Sequence, residues 1–134
     1  MKNISGLWIA LITENERQMN VFIKRIYEQP TADDGYRVLI DRLWPRGIKK
    51  QDAQIDEWLK EIAPSTGLRK WFNHEPEKWE TFMRKYAEEL QASSAYQSLQ
   101  SLIEQHGRVT LVYAARNEQF NHAAALQQML RTDR

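Results

Sequence analysis

Apolar and polar positions change their period several times along the chain, and each change marks an element. Val21 to Tyr27 is rich in β-branched and aromatic residues and stops at Glu28-Gln29-Pro30, which predicts a first strand. Thr31 to Gly35 carries turn chemistry, and the run Val38-Leu39-Ile40 within Tyr36 to Leu43 predicts a second, buried strand. That strand must end near Trp44-Pro45-Arg46-Gly47, because proline has no amide hydrogen to give and glycine frees the backbone. Ile55, Trp58, Leu59 and Ile62 then fall at steps of three and four, predicting a helix over Asp52 to Ala63 that Pro64 closes.

A short helix over Leu68 to Phe72 follows, with Ser65 or Thr66 as the capping oxygen. Trp79, Phe82, Met83, Tyr86 and Leu90 form one stripe of a helix that opens at Pro76 and runs to about Gln91; aromatics at that spacing read as core. Ala95 to His106 is a further helix, stopped by Gly107. Val109 to Ala115 is apolar except for Thr110, the signature of a central strand covered on both faces. Asn117 is the expected cap of a last helix reaching Met129-Leu130.

These elements imply an α/β fold: a small three- or four-stranded mixed sheet with one parallel β-α-β crossover and helices packed on it. The direction of the first strand stays open at this level, since the eight residues after Tyr27 suit either a long hairpin or a wider return. One core is the economical reading of 134 residues, with residues 1–18 an extension ahead of a domain spanning 19–134. Lys2 followed by Ile4 to Ile12 has the charged start and apolar stretch of a signal peptide, but Thr13-Glu14-Asn15-Glu16-Arg17 follows in place of a small-residue cleavage site. A cytoplasmic location is therefore expected. The apolar run is also too short to span a bilayer, so no membrane partner is expected.

Composition removes several chemistries. Without cysteine there is no disulfide, no thiolate nucleophile and no Cys-ligated metal centre. His74, His106 and His122 lack the close spacing of a ligand set, so no metal site is assigned. Net charge is +1, too small for a global field that would hold nucleic acid specifically. Its distribution is uneven: residues 17–50 hold eight Lys/Arg against four Asp/Glu, whereas residues 51–134 hold ten against twelve. An anion site belongs in the first third.

In a parallel α/β sheet, functional loops gather at the carboxyl ends of strands, where helix N-termini add amide donors. Two segments would meet on such a rim: Asp41 to Gly47 after the second strand, and Ala114 to Asn117 with Asn121 and His122 after the last. Arg42 and Arg46 could hold a carboxylate or phosphate by forked hydrogen bonds, Asn117 and Asn121 could bond to ligand oxygens, and His122 could transfer a proton. The blander alternative is that Asp41 pairs with Arg42 while His122, on the face of Leu126 and Met129, satisfies a backbone carbonyl. Function then divides between an enzyme or binder of a small phosphate- or carboxylate-bearing ligand and a non-catalytic protein-interaction module using exposed Trp44 or the apolar run ahead of the domain. The residues name no cofactor and no oligomeric state, and they leave open whether the chain is an enzyme.

The run Tyr36-Arg37-Val38-Leu39-Ile40-Asp41-Arg42-Leu43-Trp44-Pro45-Arg46-Gly47 resembles the signature of the YeaO-like proteins of domain-of-unknown-function family 488. Asp56-Glu57-Trp58, Ala63-Pro64-Ser65-Thr66, Leu68 to Phe72 and Leu111 to Ala115 through Asn121-His122-Ala123 agree with it, so the likeness covers about Met19 to Leu130. The resemblance supplies residues but no reaction. It also implies a contrast, because longer members carry a Cys-His-Arg run after the last strand, where this chain has Asn121, His122 and Ala123. A thiol mechanism is therefore not available here.

Overall fold

A computed structural model describes residues 20–132. The expected extension, residues 1–18, lies outside the described residues. Four strands form one sheet: β1 (Val21–Arg25), β2 (Tyr36–Leu39), β3 (Glu57–Trp58) and β4 (Val109–Tyr113), in the order β1-β4-β2-β3. Helices α1 (Lys50–Ala53), α2 (Thr66–Phe72), α3 (Trp79–Gln91), α4 (Ala95–His106) and α5 (His122–Thr132) complete the fold, with single turns of 3₁₀ helix at Ala32–Asp34, Lys60–Ile62 and Pro76–Lys78.

Every strand pair is parallel, which corrects the mixed sheet expected from the sequence. The physical reason lies in the connection between β1 and β2. A five-residue strand rises only about 17 Å, so the chain after Arg25 has ample length to travel back to the opposite edge before β2 begins. It is held on its way. The Thr110 hydroxyl donates to the Asp34 carbonyl at 2.7 Å, and the Lys24 ammonium lies 3.0 Å from the Asp34 carboxylate. Gly35 then turns the backbone at φ +64° against the Arg108 carbonyl, which accepts from the Tyr36 amide at 2.9 Å. The single polar residue of the central strand is thus the anchor of the return.

The sheet is covered unequally. On one face Val21, Val38, Ile40, Val109, Leu111 and Tyr113 pack against α2 to α5, including Phe72, Phe82, Tyr86, Leu99 and Leu126. On the other face Ile26, Leu39 and Val112 are covered by Ala53, Trp44, Ile48, Ile55 and Trp58.

That division explains a second correction. The helix expected over Asp52 to Ala63 is broken into α1, strand β3 and a 3₁₀ turn. Gln54 takes the left-handed conformation, and the Asp56 amide donates to the Arg37 carbonyl at 2.9 Å while its carboxylate accepts from the Arg37 amide at 2.8 Å. Ile55 and Trp58 go to one side of the sheet and Leu59 and Ile62 to the other. Helical spacing was here a coincidence of two cores. The expected start of the last helix also shifts: α5 begins at His122, not after Asn117.

Candidate functional site

Because the strands are parallel, their carboxyl ends share one rim. Asp41, just past β2, fastens it. One carboxylate oxygen accepts from the Ala114 amide at 3.0 Å, beyond the end of β4, and the other lies 3.2 Å from Nε2 of His122 at the start of α5. Its backbone carbonyl accepts at 2.7 Å from the indole of Trp58, the last residue of β3, which is β2's other neighbour. One residue therefore joins three elements, and it does so with its charge directed inward.

His122 Nε2 is also 3.0 Å from the Ile40 carbonyl. With two oxygens facing it, this nitrogen carries the hydrogen, and the tautomer is fixed by the hydrogen bonds it makes. Asp41 thus pairs with His122 and not with Arg42.

Asn121 has none of its side chain exposed. Its carbonyl oxygen accepts from the Ala124 amide at 2.8 Å, the bond of a helix cap, and its amide donates to the Asn117 carbonyl at 2.7 Å. The Asn117 side chain accepts from the Gln119 and Phe120 amides at 3.0 and 2.8 Å, shaping the turn before the helix. His74, from a distant loop, meets the Phe120 carbonyl through Nδ1 at 2.7 Å and holds the same turn from outside. Burial first, then the charges of Glu118 and Glu28, raises the Tyr113 phenol above its ordinary range, so it stays protonated beneath this turn.

The two arginines behave differently. Arg42 and Arg46 are exposed, and among the described residues neither has a carboxylate within ion-pair distance. Arg42 reaches across to donate to the Ala63 carbonyl at 3.0 Å. The backbone carbonyl of Arg46 accepts from the Tyr27 hydroxyl at 3.1 Å. Their loop is firmly held: the Trp44 indole donates to the Ile48 carbonyl at 2.7 Å, its ring meets Trp58 edge-on, and Pro45 is buried. Arg25 joins the rim from β1, donating through Nε to the Ala115 carbonyl at 2.8 Å.

Thus Asn117, Asn121 and His122 form one hydrogen-bonded turn, tied to β2 through Asp41, while Arg42 and Arg46 stand on the loop that follows it. Among the described residues, no group of three His, Asp or Glu side chains is placed to hold a metal ion.

A family model described as DUF488-N3i, the inactive DUF488-N3 subclade, matches residues 20–134. The chain belongs to this family. The uncharacterised protein YeaO of Escherichia coli K12 is 46% identical over 114 residues, covering 85% of this chain and 99% of its own. An uncharacterised protein of Mycobacterium tuberculosis strain H37Rv is 45% identical over 116 residues, covering 85% and 96%. No solved structure matches.

Asp41 is the rim residue of this DUF488 chain that sequence reasoning undervalued. Its signal was present: a carboxylate directly after Val38-Leu39-Ile40 must find buried donors or leave the core. Arg25 and His74 carried no comparable signal, because their partners are backbone carbonyls supplied by the tertiary fold.

Proposed function

We propose that the chain is a cytoplasmic, non-catalytic binding protein whose strand rim holds a small phosphate- or carboxylate-bearing group through Arg42 and Arg46. The observation that carries this reading is the pair of exposed guanidinium groups, without carboxylate partners among the described residues, on a loop fixed by Trp44, Pro45 and Tyr27. A fixed loop lowers the ordering cost of gripping an anion. Asn117 and Asn121, whose side-chain oxygens take the Gln119, Phe120 and Ala124 amides, would contribute by shaping the turn beside the arginines.

The absence of catalysis is supported by the chemistry of the same turn. The family resemblance sets Asn121 where longer members carry a cysteine, and its side chain is engaged in capping α5 through its oxygen and in bonding the Asn117 carbonyl through its nitrogen. His122 holds Asp41 and Ile40 through one nitrogen, a bracing role. The description of the matched subclade as inactive agrees.

Charge-assisted bonds on an open surface are worth a few kcal/mol together, so an isolated anion should bind at about millimolar concentration. Titration of the labelled protein with inorganic phosphate, followed by amide chemical shifts, should move residues 42–47 and saturate. In Arg46→Ala the shifts should weaken with no change in fold. Shifts spread evenly over the surface, or unchanged in Arg46→Ala, would refute the reading.

A further inference from the structure

The rim is not purely polar. Leu43, between Arg42 and Trp44, is 76% exposed, and Tyr27 is 48% exposed with its hydroxyl bonded to the Arg46 carbonyl. These are two of the three large apolar side chains most open to solvent among the described residues, and the Tyr27 hydroxyl, from the segment after β1, is bonded to the loop that carries Leu43. Around them stand Arg42, Arg46 and Arg25, whose guanidinium lies 5.1 Å from the centre of the Tyr27 ring.

A leucine left open on a mobile tip would mean little. This one is on a loop fastened at both ends, since Asp41 before it is bonded to Ala114, His122 and Trp58, and Trp44 after it is bonded to Ile48. Its position is thus imposed by the fold, and an exposed, fixed apolar group on the same loop as two exposed guanidinium groups is complementary to one kind of surface.

We infer that Leu43, Tyr27 and the surrounding arginines dock a short acidic segment of a partner protein, one that carries an aliphatic or aromatic side chain next to carboxylates. The inference rests on the anion-binding reading and narrows it: the carboxylates meeting Arg42 and Arg46 are those of a peptide. A second copy of the chain fits poorly, because the same surface would set arginine against arginine. Nucleic acid fits poorly too, because Leu43 offers no flat face for stacking a base and the Tyr27 ring already carries the Arg25 guanidinium 5.1 Å from its centre. The contact is small, so one apolar anchor and two or three carboxylates fill it.

The test is selection of a random displayed dodecapeptide library on the full chain, followed by fluorescence anisotropy of the enriched sequences, with phosphate titration and flotation on phosphatidylserine vesicles run alongside. Enriched peptides should pair Asp or Glu with Leu, Ile or Phe, and Leu43→Ser should weaken them about tenfold or more while leaving the phosphate response intact. Binding unaffected by Leu43→Ser, enrichment without acidic residues, or affinity for anionic vesicles alone would overturn the peptide inference while the phosphate response leaves the rim reading standing. Loss of the phosphate response as well would remove both.

Discussion

Nε2 of His122, the first residue of α5, lies 3.2 Å from Oδ1 of Asp41, two residues beyond the end of β2. The same carboxylate takes the Ala114 amide, so helix α5, the end of β4 and the end of β2 are tied at one point. Removing the carboxylate leaves the Ala114 amide without its acceptor and takes from His122 Nε2 one of its two oxygens, the Ile40 carbonyl remaining; together the two losses are worth about 2 kcal/mol. Asp41→Ala should therefore lower unfolding stability by about 2 kcal/mol, and His122→Ala by a similar amount. Arg42→Ala should cost well under that, since Arg42 gives one bond to the Ala63 carbonyl from an exposed position. Urea midpoints at constant m-value measure all three. Equal, negligible losses would remove the bracing role.

Much of this arrangement is readable from the chain, and what is not follows from partners that sequence cannot name. Thr110 stands out within an apolar strand, and that oddity marks the place where the return from β1 is anchored. Asp41 stands out after Ile40 in the same way. The stretch around Ile55 and Trp58 misleads because its spacing suits a helix, while the bonds that decide it, from Asp56 to Arg37, join residues nineteen apart. Asn117 and Asn121 are both competent caps by residue type. Which one starts the helix depends on the turn that His74 holds from a loop 46 residues away from Phe120.

Asp34 offers a pH test. Burial disfavours its charge, but hydrogen bonds from the Thr31 backbone, Lys24, Arg37 and the Thr31 hydroxyl outweigh it and bring the carboxyl from 3.8 to about 2. A carboxyl lowered on folding stabilises the protein fully above its unfolded pKa and progressively less as pH falls through the folded value. The contribution is therefore present above about pH 4 and lost between about pH 4 and 2. Its size is about 1 to 2 kcal/mol once solvent screening is allowed for. Asp34→Asn should lose that much at pH 7 and show a shallower acid limb in the same window, measured by thermal unfolding across pH. An unchanged acid limb would contradict the assignment.

Two glycines of the same φ sign should answer differently to alanine. Gly35 has φ +64°, and a Cβ there would run into the Arg108 carbonyl, whereas Gly47, at φ +77°, faces open space. Gly47→Ala should cost about 1 kcal/mol, the strain of the left-handed region alone. Gly35→Ala adds a collision with the acceptor that pairs β2, so it should cost at least twice as much. Chemical denaturation of the two variants compares them directly, and equal losses would place the return connection wrongly.

If Arg42 and Arg46 bind the anion, as proposed, while His122 braces the fold, thermal unfolding with and without phosphate separates the two roles. A ligand that binds only the folded chain raises Tm with concentration. The wild-type protein should gain several degrees in about 50 mM phosphate relative to chloride at equal ionic strength, which corresponds to a dissociation constant of about 1 mM. The Arg42→Ala, Arg46→Ala double variant should start from nearly the same Tm and gain nothing, while His122→Ala should start lower and keep the gain. A double variant that keeps the gain, or a His122→Ala protein that loses it from an unchanged starting Tm, would contradict the account.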